Sequence, residues 1–111
     1  MLAQSQVNSV RDADALANRC MGLDVPQYQQ ECVVGILGAT GERFEYDAVE
    51  RAARFCHAVA SSVKPFCYDQ LFGFFSAWFA DDTARRNACY AVPDESYRSQ
   101  CEDRYLQKAY D

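Results

Sequence analysis

At 111 residues, half of them hydrophobic and 14% aromatic, the chain suffices for one thin-cored domain and is too apolar for disorder. Its formal charge of −5, with acidic and basic side chains interleaved, excludes the clustered Lys and Arg that a nucleic-acid backbone requires. The most apolar stretch, 66–80, is interrupted by Asp69 and Gln70 and is too short to span a bilayer.

Taken in order along the chain, the apolar spacing is helical throughout, and no alternating strand pattern competes with it. A helix is predicted over Val7–Met21, then a turn at Gly22–Pro26, then a shorter helix that carries Cys32 and ends near Gly38. From Asp47 to Ala60, the residues Val49, Ala52, Ala53, Cys56, Val59 and Ala60 share one face, with Glu50, Arg51 and Arg54 opposite. Asp47 and Glu50 form a capping-box-like start. After Ser61 and Ser62, Pro65 opens a helix to about Ala80 whose broad aromatic arc includes Tyr68, Phe72, Phe75 and Trp78. Opposite that arc runs a stripe of small residues, Gly73, Ser76, Ala77 and Ala80, which predicts cover on both sides of this helix. Asp81, Asp82 and Thr83 offer N-caps for a helix through Tyr90, and Pro93-Asp94 then breaks it and starts the last one. That final helix shows one narrow ridge, Tyr97, Cys101, Tyr105 and Ala109, among charged residues, as a terminal capping helix should.

The six cysteines fall as Cys20/Cys32, Cys56/Cys67 and Cys89/Cys101, with eleven, ten and eleven residues inside each pair. The beat recurs about every 35 residues, the length of two helices and a turn. Cys20 and Cys32 sit symmetrically about Pro26; Cys56 and Cys67 bracket Ser61-Ser62; Cys89 and Cys101 bracket the Pro93 turn. Positions equidistant from the turn of two antiparallel helices face each other, and axes ~8–10 Å apart bring them within disulfide reach. Nearest-neighbour pairing is therefore expected, each closed loop contributing on the order of 3 kcal/mol. The fold expected is all-α: one domain over 1–111, about six helices as three consecutive disulfide-stapled hairpins at 7–41, 46–80 and 82–110. Such bridges require an oxidising compartment. Nothing before Val10 forms the apolar core of a secretory signal, so oxidised cysteines would imply a mature form or an excised soluble domain.

The run Ala48–Cys56, followed by Phe66-Cys67-Tyr68, resembles the disulfide-bridged Sel1-like proteins of bacteria, and the hairpin period is similar to tetratricopeptide-type repeats. The pattern they resemble is a small-residue helix ending in Cys, followed by a Cys-Tyr start to the next helix. The likeness covers mainly the middle hairpin. The regular glycines of that family are missing, and the intervals between paired cysteines are longer. The resemblance implies a protein-interaction scaffold outside the cytosol and assigns no functional residues.

Residues that carry chemistry are sparse. Zinc sites want close ligand pairs, and cysteine intervals of ten and eleven with His57 as the single histidine do not supply them. A Cys-x-x-Cys redox turn is absent. Cys56 and His57 invite a thiol-protease reading, but neighbours on a helix point about 100° apart. His57 is therefore read as a surface histidine and Cys56 as a bridge residue. Gly35, Gly38 and Gly41 follow no strand and precede no Lys-Ser/Thr, so they are read as helix termination and a loose connection rather than a phosphate loop. Asp81-Asp82 and Glu102-Asp103 suit capping and solubility better than paired acid–base catalysis. No enzyme activity, metal or cofactor is expected.

What remains is a surplus of rings: seven Tyr, seven Phe and one Trp. Phe74, Trp78, Tyr90, Tyr97, Tyr105 and Tyr110 are the candidate partner-binding residues, since Tyr and Trp bury area while keeping a polar handle. The function expected is a non-enzymatic, extracytoplasmic protein-interaction module or accessory subunit, in the periplasm or at the cell surface. It predicts a contiguous exposed aromatic patch. One alternative is a small apolar-ligand carrier, which predicts an aromatic-lined cavity. Another is a structural subunit of the mitochondrial intermembrane space, although Pro26 and Pro93 would break the continuous helix that twin-cysteine motifs of that compartment use.

Overall fold

Sulfur ties together the two arms of each hairpin. Cys20–Cys32, Cys56–Cys67 and Cys89–Cys101 are bonded, with Cα atoms 5.6, 5.4 and 5.7 Å apart, so the three expected pairings all form. The computed structural model describes residues 10–42 and 47–110, with side chains described over 13–41 and 47–105. Among these residues there are six α-helices and no strand: α1 Val10–Met21, α2 Pro26–Glu42, α3 Ala48–Ala58, α4 Lys64–Trp78, α5 Asp82–Ala88 and α6 Glu95–Tyr110. A 3-10 turn, Cys89–Ala91, joins α5 to α6. Val92 behind it is extended, the conformation that Pro93 imposes on the residue before it.

Helices stack on their counterparts. α1 packs chiefly on α3 and α2 on α4, while α5 and α6 pack mainly on each other. The α1–α3 contact is made close by alanines, Ala13 and Ala17 against Ala52 and Ala53, all buried. On its rim the Arg54 guanidinium donates to both Asp14 carboxylate oxygens, at 2.9 and 3.0 Å. One continuous core runs through all three hairpins, from Ala17 and Leu37 through Phe55 and Phe75 to Tyr105.

The structure corrects the expected end of α2. That helix does not stop near Gly38; it continues to Glu42 with Gly35, Gly38 and Gly41 inside it. Two of these glycines face α4. A Cβ at Gly38 would touch Phe74 Cζ at 4.0 Å, and one at Gly41 would overlap the Trp78 indole, 3.1 Å from Cε2. Glycine inside a helix costs about 1 kcal/mol relative to alanine, and here it leaves room for the partly buried rings of Phe74 and Trp78. The small-residue stripe of α4 is covered only in part: Ser76 lies 3.2 Å from the Tyr105 hydroxyl of α6, whereas Gly73, Ala77 and Ala80 are exposed. The close approach is made by the small residues of α2, not by those of α4.

Helix ends divide likewise. Asp81 caps α5 as expected, its Oδ1 accepting from the Ala84 amide at 2.8 Å. Asp47 makes no side-chain cap bond, so the expected capping box does not form there; its carboxylate faces Arg51 Nε at 3.3 Å. The far end of α4 is closed by Arg85 of α5, which donates to the Ser76 carbonyl at 2.9 Å and the Phe79 carbonyl at 3.0 Å while pairing with Asp82 at 3.0 Å. No described helix is long and apolar enough to cross a membrane.

Candidate functional site

Successive helical residues point 100° apart, so the rings of α4 are dealt to different neighbours. Phe74 and Trp78 stack on each other at 5.6 Å on the side of the α2 glycines. Tyr68 and Phe72 turn toward α6, where Tyr97 stacks on Tyr68 with centroids 4.5 Å apart. Tyr105, expected on a binding surface, is fully buried: its hydroxyl donates to the Phe72 carbonyl and lies 3.2 Å from Ser76 Oγ. The ridge that seats α6 on α4 runs through Tyr105, which makes it a core residue. Tyr90 stands 70% exposed on the 3-10 turn, and the Tyr110 side chain lies outside the described residues. The described candidates are thus divided: Tyr105 is buried, Phe74, Trp78 and Tyr97 are half-buried and Tyr90 is exposed.

Two other arrangements emerge. The first is a polar cluster where the second and third hairpins meet. Asp94, just ahead of α6, takes its Oδ2 to His57 Nδ1 at 3.0 Å, to the Tyr68 hydroxyl at 2.9 Å and toward Lys64 Nζ at 3.8 Å. His57 is thus not a free surface histidine. Burial disfavours charge on Asp94, but the hydrogen bonds from His57 and Tyr68 and the nearby Lys64 outweigh it and hold the carboxyl below its ordinary value. Burial, reinforced by the Asp94 carboxylate, pushes the Tyr68 hydroxyl far above the usual tyrosine range, so it stays protonated and donates. These contacts join α3, α4 and the start of α6.

The second arrangement is the turn of the first hairpin. Leu23, Val25 and Tyr28 are 39%, 42% and 55% exposed, an apolar cluster on either side of Pro26. Their backbone is pinned. Gln29 Nε2 donates to the Leu23 carbonyl at 2.9 Å and the Met21 carbonyl at 3.3 Å, the Leu23 amide donates to the Cys20 carbonyl, and Cys20–Cys32 closes the base. The signal was present in the sequence, in apolar residues occupying a turn where polar ones are usual. A groove of about 250 Å³ also opens between α4 and α6, over Pro65, Tyr68, Phe72 and Tyr97, with Asp69, Gln100 and Arg104 at its edge. Its floor is already packed, since Tyr68 and Phe72 are buried. The Arg104–Asp69 pair at 3.7 Å is largely solvated and contributes little.

Among the described residues no group of three or more His, Cys, Asp or Glu side chains could hold a metal ion. The three disulfides fit an oxidising compartment. Compared with known proteins, the chain matches no family model, no curated protein and no solved structure.

Proposed function

We propose that the chain is a non-enzymatic, extracytoplasmic interaction module or accessory subunit, in the periplasm or at the cell surface, that docks a protein partner through the turn of its first hairpin. The scaffold role is the one implied by the Sel1-like resemblance of the middle hairpin. The observation that carries the reading is the exposed trio Leu23, Val25 and Tyr28 on a backbone held by Gln29 and a disulfide. An apolar surface that is already rigid loses little conformational entropy when a partner covers it. Singly exposed apolar residues need no explanation, whereas a cluster on one pinned turn does. The carrier reading finds less support, because Tyr68, Phe72 and Phe75 close on the chain's own residues.

The test is site-specific photo-crosslinking in cells that make the protein, with the crosslinker at Val25 or Tyr28 and, as a control, at exposed Ala77 on α4. The expected result is a defined protein adduct from the turn, none from Ala77, and loss of the adduct on Leu23→Asp. Equal adducts at both places, or none from the turn, would overturn the proposal.

A further inference from the structure

The three bridges are not equally protected. Cys56, Cys67, Cys89, Cys101 and Cys20 are completely buried, whereas Cys32 is only partly so. Cys32 lies one helical turn after exposed Tyr28 on the same face of α2, and the turn that its bridge closes is exposed from Gly22 to Tyr28. The acidic neighbour Glu31, which would repel an incoming thiolate, accepts a hydrogen bond from Gln27 at 3.3 Å on the exposed face. Cys32 is thus the one half-cystine of the six that is not completely buried, the side from which a thiolate would come, while the other two bridges would be reached only after their surroundings open.

From this asymmetry we propose that Cys20–Cys32 is a thiol–disulfide exchange site, opened by a dithiol in the folded state. One thiolate of the dithiol attacks Cys32 Sγ, forming a mixed disulfide and breaking the Cys20–Cys32 bond. Cys20 leaves as a thiolate and takes up a proton, becoming a buried thiol of the core. The second thiol of the reagent loses its proton and attacks its own mixed sulfur, releasing the Cys32 thiolate, which is protonated in turn. The dithiol is oxidised to a disulfide, and the protein bridge is reduced to two thiols. α1 stays docked, since its packing on α3 and the Asp14–Arg54 pair do not involve the bridge. The apolar turn loses its covalent base. Control of docking by this exchange rests on the docking proposal; the exchange itself does not.

The experiment treats the full folded chain with dithiothreitol, quenches by alkylation at intervals, and maps labelled cysteines by peptide mass spectrometry. Labelling of Cys20 and Cys32 about tenfold or more ahead of the other four is expected, because local access outpaces larger openings. A parallel arm with excess glutathione should trap the mixed disulfide on Cys32 and not on Cys20. All three pairs opening together, either other pair opening first, or glutathione found on Cys20 would overturn the proposal. Repeating the Val25 crosslink after selective reduction separates the two ideas. Early labelling with an unchanged adduct would leave exchange standing and remove its control of docking.

Discussion

At Gly41 the absence of one methyl group sets how closely α2 approaches α4. A Cβ there would meet the Trp78 ring, which is held by stacking on Phe74 at 5.6 Å and by contact with Phe75 at 5.9 Å. Gly41→Ala is expected to destabilise the protein by about 1–3 kcal/mol, the usual effect of overpacking. Gly35 is the internal control: it lies in the same helix, and a methyl group there would meet nothing within 4 Å. Gly35→Ala is therefore expected to stabilise by roughly 0.5–1 kcal/mol. Urea unfolding of both variants checks the pair, and the same sign for both would refute the packing account. These glycines also show where reading from sequence stops. By local propensity they are helix breakers, and only the partner helix reveals that two of them are contact points. Tyr105 makes the complementary point, for its ridge position was legible, yet nothing short of the packed α4–α6 contact shows its hydroxyl bound inside the core.

Among the elements, α4 depends most on a neighbour for its termination. Phe79 leaves the helix in an extended conformation, and the carbonyls of Ser76 in the last turn and of Phe79 at the cap would be left short of donors without Arg85. The guanidinium satisfies both with its planar fork and its charge suits the helix C-terminus. Its side chain is 17% exposed, so solvent replaces it poorly. Arg85→Ala is expected to cost roughly 2–3 kcal/mol, and Arg85→Lys to recover less than half, because an ammonium lacks the fork. Thermal unfolding of the two variants measures this, and full recovery by lysine would show that charge alone matters. Element types, turn positions and cysteine pairing were readable from the sequence because each rests on local rules of spacing, proline and capping. The Asp47 capping box was not, since Arg51 one turn later competes for the same carboxylate. The expected cover on both sides of α4 holds for the aromatic arc and only in part for the small stripe, because a small stripe permits close approach without any helix having to make it.

Over the whole molecule, the first two hairpins interlock through four helices, whereas the third is attached largely by side chains: Tyr97 on Tyr68, Tyr105 on Phe72, and Asp94 in its polar cluster. In sequence Asp94 was visible only as the start of a helix, and its partners His57 and Tyr68 lie in other elements. The cluster makes attachment of the third hairpin sensitive to acid. A carboxyl whose folded pKa is depressed contributes stability that is fully present above its unfolded value, near 3.8, and is lost as pH falls through the folded value. Asp94→Asn keeps the size and an acceptor oxygen but removes the charge, so the difference in unfolding free energy between wild type and variant isolates it. Asp14, also depressed by its bond to Arg54, titrates in both proteins and cancels. The gap is expected to be widest above the unfolded value near 3.8 and to narrow as pH falls below it. Native-state hydrogen exchange at neutral pH should place the variant's loss of protection in α5 and α6, ahead of α1 to α4. A gap that does not change with pH, or protection lost evenly through all six helices, would show that the Asp94 charge does not hold the third hairpin in place.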